Sequence, residues 1–279
     1  MDISLVVLGS GQDGGAPQFG SHRAAAGERT ASSIAIAIDR TRVLLFDATP
    51  DLRQQFRALE DLLDSRDARA PVDAVFITHA HMGHYGGLMH FGKEAAATDM
   101  TPLHAPASVL EFLDANEPWA TLLRSEHLVG HSTDDSDVEY GPITVQAISV
   151  PHRADFSTTV AYSIHVEGRP WVLYVPDIDG WDRWPEAVDV IGAHPVSLLD
   201  ATFADPGEVP GRSINDIPHP IVTDTIERFA SLAEGRRIVL THLNHTNQLG
   251  LIGSSIRTEA EAAGFEVSFD GMRIEYGEV

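Results

Sequence analysis

Residues 78–87 read THAHMGHYGG, placing imidazoles at His79, His81 and His84 directly behind the apolar run AVFI at 74–77. A short β-branched run that stops at a cluster of histidines predicts a strand ending in a ligand loop, because a sheet holds the strand end rigidly and leaves the chain beyond it free for chemistry. The position between the second and third histidines, Gly83, brings no side chain. Three imidazoles do not by themselves close a metal shell that supports turnover, so further donors have to come from elsewhere in the chain.

The same setting recurs. Asp47 follows VLLF, His152 follows ISVP, Asp177 follows VLYVP, Asp200 follows VSLL and His242 follows RIVLT. With the histidine loop, six apolar segments each deliver a His or Asp just past their C-terminal ends. Any one of these is ordinarily a satisfied hydrogen-bonding group; their joint occurrence predicts a convergent site.

Apolar segments at 3–8, 33–38, 43–46, 143–150, 160–166, 172–175, 196–199, 238–241, 267–269 and 273–276 also read as strands. Amphipathic stretches at 52–63, 107–114, 119–126, 222–233 and 255–263 read as helices. No repeat, low-complexity linker or charge run divides the 279 residues, so one α/β domain, 1–279, with two sheets and outer helices is the economical expectation.

Composition narrows the chemistry. The absence of Cys removes disulfides, thiolate ligands and a cysteine nucleophile together. A formal charge of −22, from 41 acidic against 19 basic residues with Lys93 the sole lysine, repels phosphate backbones and makes long nucleic acid a poor substrate. The opening MDISLVVLGSG reads as a first strand rather than a signal peptide. No apolar stretch approaches the roughly 18 residues that cross a bilayer. A cytoplasmic protein acting on a small molecule, with no membrane partner, is expected; its oligomeric state stays open, a homodimer included.

The series His79, His81, Gly83, His84, Gly86, Gly87, continued by His152, by Asp177 in YVPDIDG and by His242 in THLNHTN, resembles the metallo-β-lactamase superfamily of metal-dependent hydrolases. In that family position 83 is an Asp. The resemblance implies an α/β fold, a four-layer αββα sandwich. It also implies that His79, His81 and His152 hold a first ion, that Asp177 bridges to a second, and that His84 and His242 belong to the second. GSGQDGGAPQFG at 9–20, RTASSIAIAI at 29–38, VLLFDATPDLRQQF at 43–56, DATF at 200–203 and HPI at 219–221 are similar to one branch of the superfamily. That branch contains the PQQ-biosynthesis proteins and cyclic-phosphate phosphodiesterases, with tRNA 3′-processing nucleases further away. Its members often carry cysteines after the glycine-rich stretch; this chain has none, which leaves any structural metal there without thiolate ligands.

Neutral imidazoles bind a borderline-soft ion without adding charge, a carboxylate can span two ions, and an open position holds a water whose pKa falls to near 7. Zn2+ leads, and Mn2+ or Fe2+ suit the same donors. Gly83 leaves the second set a carboxylate short, so one tight ion and a weaker or absent second are expected. A water, His245 or a substrate group could fill the gap, and Gly83→Asp is expected to add or tighten a binding event. A single-ion enzyme, or a fold retained without catalysis, are the other readings.

Asp47 is expected either to hold a ligand histidine from behind or to cap a helix near Asp51. By resemblance to the tRNA-processing relatives, His219 is a proton donor oriented by Asp200, with His245 the alternative. Set between Pro218 and Pro220, His219 also reads as a rigid loop residue. Asp177 would bind or orient the attacking water. The GxGxxG at Gly9–Gly14 lacks the following helix and phosphate-binding Lys of a nucleotide site, and reads as a close-packed loop near the metal rim. Arg153, Arg212 and Asn215 are open as substrate contacts and Trp171, Trp181 and Trp184 as pocket walls, with loop or packing roles equally open. The function expected is metal-assisted hydrolysis of a small ester, lactone or phosphodiester. The alternatives are a metal-dependent oxygenase or hydroxylase of the PQQ-biosynthesis type, in which iron would serve, and a noncatalytic binding protein.

Overall fold

Strand β1 (Ile3–Gly9) is buried along its whole length, and the alternation of side chains divides it between two spaces. Ile3, Leu5 and Val7 enter the core between two sheets, while Val6 and Leu8 enter the core beneath outer helices. The same division sends Leu44 and Phe46 of β3 (Arg42–Phe46) inward and Val43 and Leu45 outward. A strand covered on both faces has no polar side to show, which is why these segments read as continuous apolar runs.

The computed structural model describes residues 1–21, 27–64, 67–208 and 218–278; Arg212 and Asn215 lie outside them. The first sheet has seven strands in the order β14-β1-β2-β3-β4-β5-β6. They are β14 (Arg273–Glu275), β1, β2 (Ser33–Ile38), β3, β4 (Ala74–Phe76), β5 (Thr101–Ala105) and β6 (Leu128–Ser132). The second sheet, also seven-stranded, runs β13-β12-β11-β10-β9-β8-β7. Its strands are β13 (Phe265–Val267), β12 (Arg237–Thr241), β11 (Val196–Asp200), β10 (Arg169–Val175), β9 (Val160–Val166), β8 (Ile143–Ser149) and β7 (Val138–Tyr140). Pairing is antiparallel from β14 to β3 and parallel from β3 to β6. It is likewise antiparallel from β7 to β10 and parallel from β10 to β13.

Helices α1 (Leu52–Gln55), α2 (Met82–Tyr85), α3 (Ala107–Ala115) and α4 (Trp119–Arg124) cover the first sheet, through Leu52, Tyr85, Val109 and Leu122. Helices α5 (Ala187–Ala193), α6 (Val222–Ala233) and α7 (Ser255–Ala262) cover the second, through Ile191, Phe229 and Ala260. The result is the αββα sandwich of the resemblance. Among the described residues no helix is long and apolar enough to cross a membrane.

Several elements depart from the sequence pattern. The helix expected over 52–63 is α1 followed by a 3-10 turn, Phe56–Leu59, with Leu52 and Leu59 both buried. The strand expected at 267–269 sits at Phe265–Val267, because Phe265 and Val267 are buried while Phe269 faces solvent. β5, β6 and β7 were not anticipated: Pro102 and His104 interrupt the apolar signal of the first, and the other two are short and partly exposed.

Candidate metal centre

The parallel strands of both sheets aim their C-terminal ends at one rim. β4 ends at Phe76, and the chain is then fixed by Ile77 N–H donating to His104 O (2.9 Å) and Thr78 N–H donating to Asp47 Oδ1 (2.9 Å). From there His79 and His81 meet His152 and Asp177, four buried side chains with a donor atom each within 4.8 Å of one another. His79 Nε2 lies 2.8 Å from His81 Nδ1 and 3.3 Å from Asp177 Oδ2. His152 Nε2 lies 3.3 Å from His81 Nδ1 and 3.2 Å from Asp177 Oδ2. An ion held tetrahedrally by such donors at its usual bond lengths keeps them about 3.3 Å apart, so the cluster has the spacing of a metal shell.

The outer ring nitrogens explain how the inner ones are kept free. Thr78 Oγ1 lies 3.0 Å from Asp47 Oδ1 and 3.0 Å from His79 Nδ1. Its single proton goes to the carboxylate, so it accepts from His79 Nδ1–H and leaves Nε2 as a bare lone pair. In the other sheet Thr202 Oγ1 donates to Asp200 Oδ1 (2.6 Å) and lies 2.8 Å from His242 Nδ1, which leaves His242 Nε2 bare by the same logic. Asp47 Oδ2 is 2.8 Å from His84 Nδ1, and Asp179 Oδ1 is 3.1 Å from His152 Nδ1. Asp47 thus stands behind His84, and the cap position of α1 belongs to Asp51.

His84 and His242 form the adjoining cluster, and they meet a residue the sequence did not single out: Asp13, with donor atoms again within 4.8 Å. Asp177 borders both clusters, its Oδ2 lying 4.0 Å from His84 Nε2. Among the described residues Asp13 Oδ1, His84 Nε2, Asp177 Oδ1 and His242 Nε2 are all buried without a hydrogen-bond partner. Orphaned donors and acceptors of this kind are costly unless something satisfies them, and a divalent cation fits four inward-facing lone-pair atoms.

Electrostatics agree. Burial pushes the His79 pKa well below the usual 6.5, with His84 adding to it, and burial lowers His242 as well, so both present neutral rings. Burial opposes ionisation of Asp177, yet His219, His152 and His242 outweigh it and hold the carboxyl well below its ordinary range. His84 is the exception: burial resists its charge, but Asp47 and then Asp13 raise its pKa well above the imidazole value. A cation entering between them takes the place of that proton.

His219 reaches the centre from the loop before α6. Its Nδ1 is 2.9 Å from Asp200 Oδ2 and 3.2 Å from Asp177 Oδ1, and it lines a cavity of about 740 Å3. Burial pushes its pKa down, but Asp200 and then Asp177 overcome this and bring it up to about 9. His245 joins none of the clusters found among the described residues; its Nδ1 is buried and unpartnered. Arg153 pairs with Asp155 at 3.7 Å. Trp181 lines the same cavity as His219, whereas Trp171 and Trp184 are buried in the core. The glycine-rich loop is clamped to the rim, with Gln12 N–H donating to Leu243 O (2.9 Å) and Leu243 N–H to Ser10 O (3.0 Å).

Histidines and carboxylates gathered among the described residues in three overlapping clusters, the third of them Asp177, Asp200, His219 and His242, at the strand ends of an αββα sandwich define a metal-dependent enzyme. The chain belongs to the metallo-β-lactamase superfamily, the model of the Beta-lactamase superfamily domain matching residues 42–243. Over nearly its whole length it is similar to Coenzyme PQQ synthesis protein B. The protein of that name from Methylobacterium nodulans is 30% identical, covering 98% of this chain and 99% of the relative. The one from Methylorubrum populi is 29% identical, covering 98% and 100%. The crystal structure of Zn2+-bound PqqB from Methylobacterium extorquens superposes with a TM-score of 0.83 at 25% identity, covering 97% of this chain and 99% of that one. A diphosphatase of the PhnP family shares the fold, with a TM-score of 0.71 at 20% identity over 99% and 98% of the two chains.

Proposed function

We propose that this protein is a metal-dependent enzyme of the PQQ-synthesis-protein-B type, acting as one domain on a small precursor of a quinone cofactor by hydroxylation or a related oxygenation. The observation that carries this is the similarity to such proteins from end to end, in sequence and in fold, together with assembled His/Asp clusters. His79, His81, His152 and Asp177 would hold one ion, with His84, His242 and Asp177 beside it. Zn2+ is named for the relative's structure, and Fe2+ suits the same nitrogen and oxygen donors and would serve an oxygenation. When bound, the metal supplies Lewis acidity and, for iron, redox chemistry.

The chain's own groups do the positioning. Asp47 and Asp200 set the tautomers of His79 and His242 through Thr78 and Thr202. His219 stands at the cavity wall as a proton donor held by Asp200. The cavity wall also carries Asp179, Asp182, Asp224 and Glu227 against Arg228, which disfavours a polyanion and suits a small substrate.

Complementation tests the proposal: the chain is expressed in a PQQ-producing bacterium lacking PQQ synthesis protein B, and PQQ is quantified by mass spectrometry. Restored PQQ is expected, and its loss in a His152→Ala variant. No restoration from a folded, metal-loaded protein overturns the assignment. The protonated His219 beside two carboxylates favours a second reading, hydrolysis of a small ester, lactone or phosphodiester, in which it protonates the leaving oxygen. Metal-dependent turnover of such substrates without restored PQQ selects it.

A further inference from the structure

Gly83 lies in α2, packed against the loop that follows β1. A Cβ at this position would come 2.2 Å from Asp13 Oδ1, 2.6 Å from Asp13 Cα and 2.8 Å from Asp13 Cβ. Real Cβ atoms do not approach backbone so closely, so the space where a side chain at position 83 would begin is already occupied, and it is occupied by a carboxylate. Asp13 sits in a turn closed by Gly15 N–H donating to Gln12 O (2.7 Å). The loop around it is pinned to the segment after His242 by the Gln12 and Leu243 backbone bonds and a bridge between Gly11 and Leu243. Asp13 Oδ1 is therefore held 3.3 Å from His84 Nε2, and both atoms, with His242 Nε2, are buried and make no hydrogen bond among the described residues.

Resting on the metal-centre reading above, we infer that Asp13 supplies to the second ion the carboxylate that position 83 lacks. The ligand has moved from the histidine loop to the loop after β1, and Gly83 is the space it requires. His84, His242 and Asp13, with Asp177 at the border, then give the second ion the two imidazoles and two carboxylates that the histidine motif alone does not. The sequence-based expectation for Gly83→Asp changes with it. Added to the native chain, that side chain collides with Asp13 and brings no tighter binding; removal of the Asp13 side chain does not by itself make room for it, because the Cα of residue 13 lies 2.6 Å from the same Cβ position.

The test is read by metal content at these two positions, independent of any substrate. The metal-stripped protein and its Asp13→Asn, Asp13→Gly, Gly83→Asp and Asp13→Gly/Gly83→Asp variants are titrated with Zn2+ by calorimetry. They are also titrated with Co2+, whose visible absorption reports the donor set, and folding is checked by circular dichroism. The native chain is expected to bind two ions. Asp13→Asn, which keeps the volume, and Asp13→Gly should each retain the first ion and bind the second at least 10–100-fold more weakly, a loss of the size seen when even an outer partner of a metal ligand is removed. Gly83→Asp alone should not tighten the second ion, and the double variant, in which the Cα of residue 13 still lies 2.6 Å from the added Cβ, should not recover it. The inference is overturned if the native chain binds one ion only, or if Asp13→Asn and Asp13→Gly bind two ions as the native chain does. Failure of PQQ complementation by a protein that shows the Asp13-dependent second ion would refute the proposed function and leave this assignment standing.

Discussion

At the residue scale, two threonines carry more of the site than their chemistry advertises. Thr78 and Thr202 each donate a hydrogen bond to a carboxylate and so set the neighbouring imidazole in one tautomer. Thr78→Val and Thr202→Val preserve shape and remove the hydroxyl, and with it both the acceptor for the imidazole and the bond to the carboxylate. Each is expected to weaken one ion by about 10–100-fold, the first at His79 and the second at His242, while the other ion stays near its native affinity. Calorimetric titration with Zn2+ separates the two, and equal affinities in native and variant chains would refute the role. His219 gives a prediction with a definite sign. Its pKa in the folded chain is about 9, above the usual 6.5, so the stability it contributes to metal-free protein is whole below pH 6.5 and is lost as pH rises through about 9. The urea midpoint of metal-stripped protein, compared with that of His219→Gln, should show a difference that shrinks across this window; a constant difference would remove the linkage.

At the element scale, α6 shows how pattern becomes position. Its buried residues Val222, Thr225, Ile226 and Phe229 fall on one stripe, and the helix was legible over 222–233 because that stripe is sharp. Trp181 donates Nε1–H to Thr225 Oγ1 at 2.8 Å and meets Phe229 edge-on, which ties the helix to the loop beyond Asp177. Phe229→Ala should cost about 3–5 kcal/mol, seen as a lower urea midpoint, since the fully buried ring leaves a cavity that its neighbours fill only in part. A change below about 1 kcal/mol would mean that the sheet and helix repack freely there. The strand β5 illustrates the opposite case. Thr101–Ala105 carries a proline and a histidine where a periodic signal would need apolar residues, and its place in the sheet comes from pairing with β4 and β6.

At the scale of the whole molecule, the centre lies between two sheets, one of β1–β6 joined by β14 and the other of β7–β13, and an ion bound there would link them. His79, His81 and His84 come from the first sheet; Asp177 and His242 come from the second. An ion bound only by the folded state adds stability with its concentration, about 2.7 kcal/mol at 100 times its Kd. Chelation of purified protein should therefore lower the thermal midpoint by several degrees, and Zn2+ should return it. Unchanged melting after verified metal removal would show that the sheets need no such link. The acidic surface adds nothing to this cohesion, because dispersed carboxylates repel one another and are screened by salt.

What the sequence determined was the kind of site and its rigid frame. Each apolar run buried on both faces had to be a strand of a covered sheet, and the His or Asp behind it had to emerge at a strand end. That much singled out His79, His81, His152, Asp177 and His242, with Asp47 and Asp200, because residue type and strand end are both local properties; His84 and the choice of ligands among them came from the resemblance to the superfamily motif. What only the tertiary structure decided was which loops touch. Asp13 and Gly83 are separated along the chain by the whole of β2 and β3, and no pattern in either segment announces the other. They meet because β1 and β4 lie in one sheet while the loop after β1 is bonded to the end of β12 in the other. A missing side chain in one loop and an extra carboxylate in another are separate facts in the sequence; in space they are one filled volume.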